Sequence, residues 1–171
     1  MTPQPRKMSE IIVEMADRLF RNPDANHSSE AAQVALLVAT IAWNETILGI
    51  PRTSYGSEWK QIEGGKPEMW GEFKLNDVDA MIDELVRFKK QHYPDDQRRI
   101  LAGSIPNGSI RVEWLPAAAP GVDARWEMTV YGLVRMGERD KAIQFLQDTR
   151  RMSRSDAAKR VVEIASDLGI V

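Results

Sequence analysis

Apolar residues between Met8 and Arg21 recur at helical spacing. Met8, Ile11, Ile12, Met15 and Leu19 alternate with Glu10, Glu14, Asp17 and Arg18, the pattern of an amphipathic helix. Asn22-Pro23 stops it, because a residue before proline is pushed out of the α region. The next stretch is different. From Ala31 to Trp43 only Gln33 and Thr40 are polar. At 100° per residue they share one narrow stripe with Asn44. A helix with so little polar surface must be wrapped by partners, so it is assigned to the centre of the core, around Leu36, Leu37, Ile41 and Trp43. Ser28 or Ser29 is its expected N-cap, with Glu30 at the positive helix end.

A third helix is predicted from Asn76, its expected cap, to Pro94, with Val78, Met81, Ile82, Leu85 and Phe88 on one face. Its acidic start and basic end match the helix dipole. Residues 99–115 read as a β-hairpin. Ile110, Val112 and Trp114 alternate with Arg111 and Glu113 around an Asn107-Gly108 turn signal. Pro116 to Gly121 is a Pro/Ala linker. The segment 124–136 fits a helix capped by Asp123 and stopped by Gly137, with a third strand at 126–131 as the alternative. Helices over 140–150 and 155–168 complete the chain. Ala142, Phe145, Leu146 and Thr149 are the expected buried face of the first. Ala158, Val161, Val162, Ala165 and Leu168 are that of the second. The fold class is α+β, mainly α: about six helices and one hairpin in a single domain, 1–171, with a C-terminal helical lobe over 122–171.

The stretch from Gly49 to Leu75 keeps neither period. Pro51, Gly56, Gly64, Gly65, Pro67 and Gly71 lie among Tyr55, Trp59, Trp70 and Phe73. An irregular segment this long is either functional or laid across the core. Aromatic side chains on such backbone give large contact area at low entropic cost. Tyr55, Trp59, Trp70 and Phe73 are therefore the candidate partner-binding residues. Of the five tryptophans, Trp43 and Trp114 are assigned to the core.

Composition narrows the chemistry. With 43% hydrophobic and 28% charged residues, the chain is an ordinary globular one rather than a disordered or fibrous one. It has no cysteine, which excludes disulfides, thiolate metal sites and thiol nucleophiles. The net charge of −2 argues against a protein held mainly by phosphate backbones. Charge is nonetheless uneven. Residues 58–86 carry eight acids against three lysines, whereas residues 87–111 carry six bases against two acids. Such asymmetry steers a partner or a second copy.

Each chemical constellation has a plain structural alternative. Glu45 lies on the apolar side of its helix, where desolvation would tune a general acid or base. The alternative is an arginine partner. His92 with Asp95 and Asp96 offers weak metal ligands, against a solvated helix end. Arg150, Arg151, Arg154, Lys159 and Arg160 around a short turn invite a helix-turn-helix reading. Against it, Gln147, Arg151 and Arg160 stand where that motif has a small residue, a glycine and an apolar residue.

The reading favours a cytoplasmic, non-enzymatic protein-interaction or regulatory module that uses the 50–75 segment and binds a protein partner or itself. No cofactor and no membrane are expected, and the polar start MTPQPRKMSE lacks a signal-peptide core. One alternative is a small hydrolase or metal-dependent enzyme using Glu45 with His92, Asp95 and Asp96. The other is a nucleic-acid accessory protein using the basic C-terminal helices.

Overall fold

The computed structural model describes residues 6–50, 52, 62 and 67–170. The protein is α+β and mainly α. Among the described residues it has seven α-helices and one two-stranded antiparallel hairpin. The chain divides into two compact units between Ala117 and Ala118.

The first unit is built around α2 (Ser29–Leu48), which is buried on nearly every side. Ser28 is its cap, its hydroxyl accepting the Ala31 N–H at 3.2 Å. Gly49 ends it in the left-handed region at φ 57°. This helix is long and apolar enough to cross a membrane by length and composition. Here α1 (Met8–Asp17), α4 (Val78–His92) and β1 (Arg99–Ser104) pack around it.

Helix α1 stops short of the predicted Arg21 end. Arg21 donates to the Glu72 carbonyl at 2.9 Å and Lys74 to the Leu19 carbonyl at 2.8 Å, so Phe20 and Phe73 form a β-bridge. Leu19 and Phe20 are buried as the periodicity requires, but their backbone pairs with a distant strand-like segment instead of continuing the helix. A short helix, α3 (Pro67–Trp70), precedes that segment. The cap of α4 is Asp77 rather than Asn76, because the Asp77 carboxylate accepts the Ala80 N–H at 2.8 Å. Met81, Ile82, Leu85 and Phe88 are buried as predicted.

Strand β1 pairs with β2 (Arg111–Leu115), with a register irregularity between Ile100 and Ala102. Asn107 and Gly108 both have positive φ, 52° and 77°. They sit at the end of a longer connection containing a 3₁₀ turn, not in a two-residue loop. Two strands alone are marginal in water, and packing on α2 supports these. Trp114 is not a core residue, since 45% of it is exposed.

The second unit holds α5 (Ala124–Arg135), α6 (Arg139–Arg150) and α7 (Arg154–Asp167). Residues 126–131 are helical, not a third strand. Asp123 accepts the N–H groups of Arg125 and Trp126 at 2.9 and 3.3 Å, and Gly137 follows the helix at φ 79°. Val130, Val134, Ala142, Leu146, Ala157, Val161, Ile164 and Ala165 form the core. Two assignments shift. Thr149 is exposed. Val162 is 62% exposed, because α7 turns Ala157 and Ile164 inward rather than Ala158 and Val162.

Candidate functional site

Among the described residues of the aromatic segment, neither candidate ring is fully exposed. Phe73 is fully buried and stacks on Phe20 at 5.1 Å and 15°. Trp70 is half-buried and packs against the same core, tilted on Phe73 at 5.9 Å. Tyr55 and Trp59 lie outside the described residues. Phe20 also stacks on His27 at 3.5 Å, whose Nδ1 lies 3.0 Å from Glu72 Oε2. The Ser28 hydroxyl donates to Glu72 Oε1 at 2.7 Å. That bond, helped by His27 and the Ser28 N–H, holds the Glu72 carboxyl below the usual carboxylate range despite its partial desolvation.

Glu45 is a paired anion, not the isolated desolvated carboxylate of the helical wheel. Arg52 grips it with Nε at 2.9 Å and Nη2 at 3.2 Å. The same guanidinium donates to Asp79 Oδ1 at 2.9 Å and to Asp83. Three carboxylates around one arginine push its pKa above the ordinary arginine value, chiefly through the Glu45 hydrogen bonds. Glu45 thus shares one guanidinium with two other carboxylates instead of standing as a lone base.

His92, Asp95 and Asp96 do not converge either. His92 is exposed and lies against Phe88 at 4.3 Å. Asp95 is exposed. Asp96 is bound to Arg98 through Nε at 2.9 Å and Nη2 at 2.5 Å. No group of three potential metal ligands exists among the described residues. His92 stands nine positions beyond Asp83 on α4, about 14 Å at 1.5 Å per residue. Glu45 and His92 therefore cannot serve one reacting atom.

The basic C-terminal residues are dispersed. Arg150 stacks over Trp126 at 4.3 Å, and Arg160 pairs with Glu163 at 3.1 Å. Arg154 and Lys159 are exposed on α7. Arg151 adopts φ 53° in the three-residue turn between α6 and α7, the conformation for which a glycine is usual. A shallow depression of about 360 Å³ lies beside Trp126, Phe145 and Arg150. Residues 118–171 contain nine Lys and Arg against eight Asp and Glu, so this unit as a whole has little net positive charge.

One recess combines exposure, apolar floor and charge. A groove of about 870 Å³ runs between β2 and the start of α1. Ile110, Val112 and Trp114 of the hairpin form one side, and Arg6, Lys7, Met8 and Ser9 the other, with Arg98 and Arg111 at its rim. Four of the lining residues are cationic and none is acidic. Arg98 is held in place from behind by Asp96 and by donating to the Arg6 carbonyl at 3.1 Å. Its guanidinium lies 5.3 Å from the centre of the Trp114 ring, a cation–π geometry. Arg6 is fixed by Glu14 at 2.5 Å and by the Tyr93 hydroxyl at 2.6 Å. Helix α1 begins at Met8, with Lys7 as its N-cap and no side-chain cap hydrogen bond.

No known protein family, curated protein or solved structure matches this chain.

Sequence reasoning missed the groove because it assigned Trp114 to the core. The period-2 pattern correctly puts Ile110, Val112 and Trp114 on one face, and Ile110 and Val112 are partly buried there. It could not show that the core ends before Trp114. A signal was available in the basic stretch 87–111, which contains Arg98 and Arg111. The bases at positions 6 and 7 join them only in three dimensions.

Proposed function

We propose that the protein is a non-enzymatic interaction module whose working surface is the groove between β2 and the start of α1, with an anionic, partly apolar polypeptide as its partner. The observation that carries this reading is the lining itself. An exposed tryptophan and two further apolar side chains of the hairpin share the lining with four cations and no carboxylate. Tryptophan and arginine are the residue types that dominate binding energy at protein interfaces. Arg6 and Arg98 are paired with Glu14 and Asp96, so the charge left to select an acidic partner and speed its approach is that of Lys7 and Arg111. The 50–75 segment supports the reading less, since Phe73 is spent in the core. The enzyme alternative has lost its geometry, because Arg52 occupies Glu45 and His92 stands at the far end of α4. A nucleic-acid partner is disfavoured by the overall charge of −2, which opposes a long polyanion while leaving a short acidic segment free to use local charge.

The test is selection of random peptides displayed on phage against the full chain, in parallel with the Trp114→Ala/Arg111→Glu variant. Peptides rich in acids and carrying an apolar residue should be enriched on the native protein and lost on the variant. Equal enrichment on both proteins, or enrichment of basic peptides, would overturn the reading.

A further inference from the structure

The groove also has an open backbone edge, and we infer that its occupant binds as an added β-strand: an extended acidic segment pairing with the outer edge of β2. This rests on the binding reading above and specifies the mode of recognition. The opposite edge of the hairpin is already occupied. The buried Asn44 amide covers the outer edge of β1, Nδ2 donating to the Ile100 carbonyl at 2.7 Å and Oδ1 accepting the Ile100 N–H at 2.9 Å. A side chain thus occupies the place of a further strand there. Because both backbone groups of Ile100 point at Asn44, neither points at β2. Ile100 is opposite Trp114 in the register. In an antiparallel ladder such a pair is the non-hydrogen-bonded kind, and the groups of both residues turn outward. The N–H and C=O of Trp114 therefore face away from β1, and those of Val112, two residues earlier, do the same.

No strand pairs with this edge of β2 among the described residues. The usual protections of an edge are shortness, charged side chains, proline, a bulge or a covering element; β2 is five residues long and carries Arg111 and Glu113, which leave an oppositely charged partner able to pair. Residues 111–115 contain no proline, and the register irregularity opposite Trp114 and Glu113 places its extra residue, Leu101, on β1 and not on β2. Among the described residues nothing fills the groove beside the edge, and its side chains state what the added strand must carry. Carboxylates would meet Lys7 and Arg111, neither of which has a partner among the described residues, and an apolar side chain would cover Trp114. Strand addition obtains affinity from main-chain hydrogen bonds and specificity from alternate side chains, and this groove offers both. A second copy pairing through the same edge would bring two grooves lined by cations and no acids together, so like charges oppose a β2–β2 dimer.

The probe is a capped heptapeptide alternating glutamate with valine, titrated into the full chain and followed by calorimetry and by amide exchange. Two versions N-methylated at alternate backbone positions and a lysine-for-glutamate version serve as controls. The expected result is binding that protects the Trp114 and Val112 amides at least about tenfold. One methylated version should bind at least about tenfold more weakly, the loss of about 1.4 kcal/mol, while the other binds as the parent does. The lysine peptide should not bind. Equal binding of both methylated versions would overturn strand addition while leaving the groove a binding site. Failure of the parent peptide to bind would overturn it as well, with the phage selection deciding the broader reading independently. Protection of the same amides by concentration-dependent self-association without peptide would assign the edge to a second copy and overturn the proposal.

Discussion

Asn44 shows how much one polar residue decides. Its position on a stripe with Gln33 and Thr40 is readable from the helical period. The three then behave differently. Gln33 is exposed, and the Thr40 hydroxyl donates to the Leu36 carbonyl at 2.9 Å. Asn44, 3% exposed, satisfies a strand 56 residues away. Asn44→Ala would bury the Ile100 N–H and C=O without partners, each worth about 1–3 kcal/mol when left unsatisfied. A loss of about 3 kcal/mol in urea unfolding is expected, against less than about 0.5 kcal/mol for Gln33→Ala. Equal losses would mean the amide is not needed at that edge. The same scale explains why Glu45 misled. Its wheel position is half apolar, but one arginine seven residues on supplies the counter-charge. Lys89 makes the opposite point. It carries a charge on a helix end the dipole favours, yet it is buried with Nζ 4.9 Å from the Trp43 ring. Burial lowers its pKa below the ordinary lysine value. The helical period places Lys89 on the apolar face with Ile82 and Leu85 and the exposed Lys90 off it, but only the tertiary structure shows the Trp43 ring it meets.

At the scale of elements, periodicity and punctuation carried most of the information. Ser28, Asp123 and Gly137 act where their chemistry says they should, and α5 is a helix because Asp123 satisfies its first N–H groups. The misses lie at ends. Helix α1 yields Leu19 and Phe20 to a β-bridge, a long-range pairing that no local pattern encodes. The α6–α7 turn keeps an arginine at φ 53°, where residues with a Cβ are strained and glycine is not. Arg151→Gly should therefore stabilise the protein by about 0.5–1 kcal/mol. A lowered thermal midpoint would show instead that the Arg151 side chain does more than fill the turn. Strand β2 is the element whose role changed most. Its alternation was legible, whereas the exposure of its last large side chain was not, because exposure depends on where the opposing layer stops.

For the whole molecule, acid should be the weak condition. Glu72 is held below its ordinary pKa by the Ser28 hydroxyl, and Asp83 by Arg52. Asp96 is raised by burial but lowered further by Arg98, with the same net direction. A carboxyl whose folded pKa lies below its unfolded one contributes stability above the unfolded value and loses it as pH falls through the folded one. The urea midpoint should therefore drop as pH goes from about 5 to about 3. Glu72→Gln should lower it at pH 7 and make the drop shallower. An unchanged slope in that variant would show that Glu72 does not contribute to acid sensitivity. The same long-range pairing governs the groove, where Arg6 and Lys7 meet Arg98 and Arg111 from ends of the first unit more than ninety residues apart. The sequence by itself determined the helices, the hairpin, the mainly α class and the absence of cysteine chemistry, because these follow from local periodicity, capping and composition. Only the tertiary structure decided which charges are neutralised and which aromatic ring reaches solvent. Those outcomes depend on which distant side chains share a few ångströms, and a linear pattern does not contain that distance.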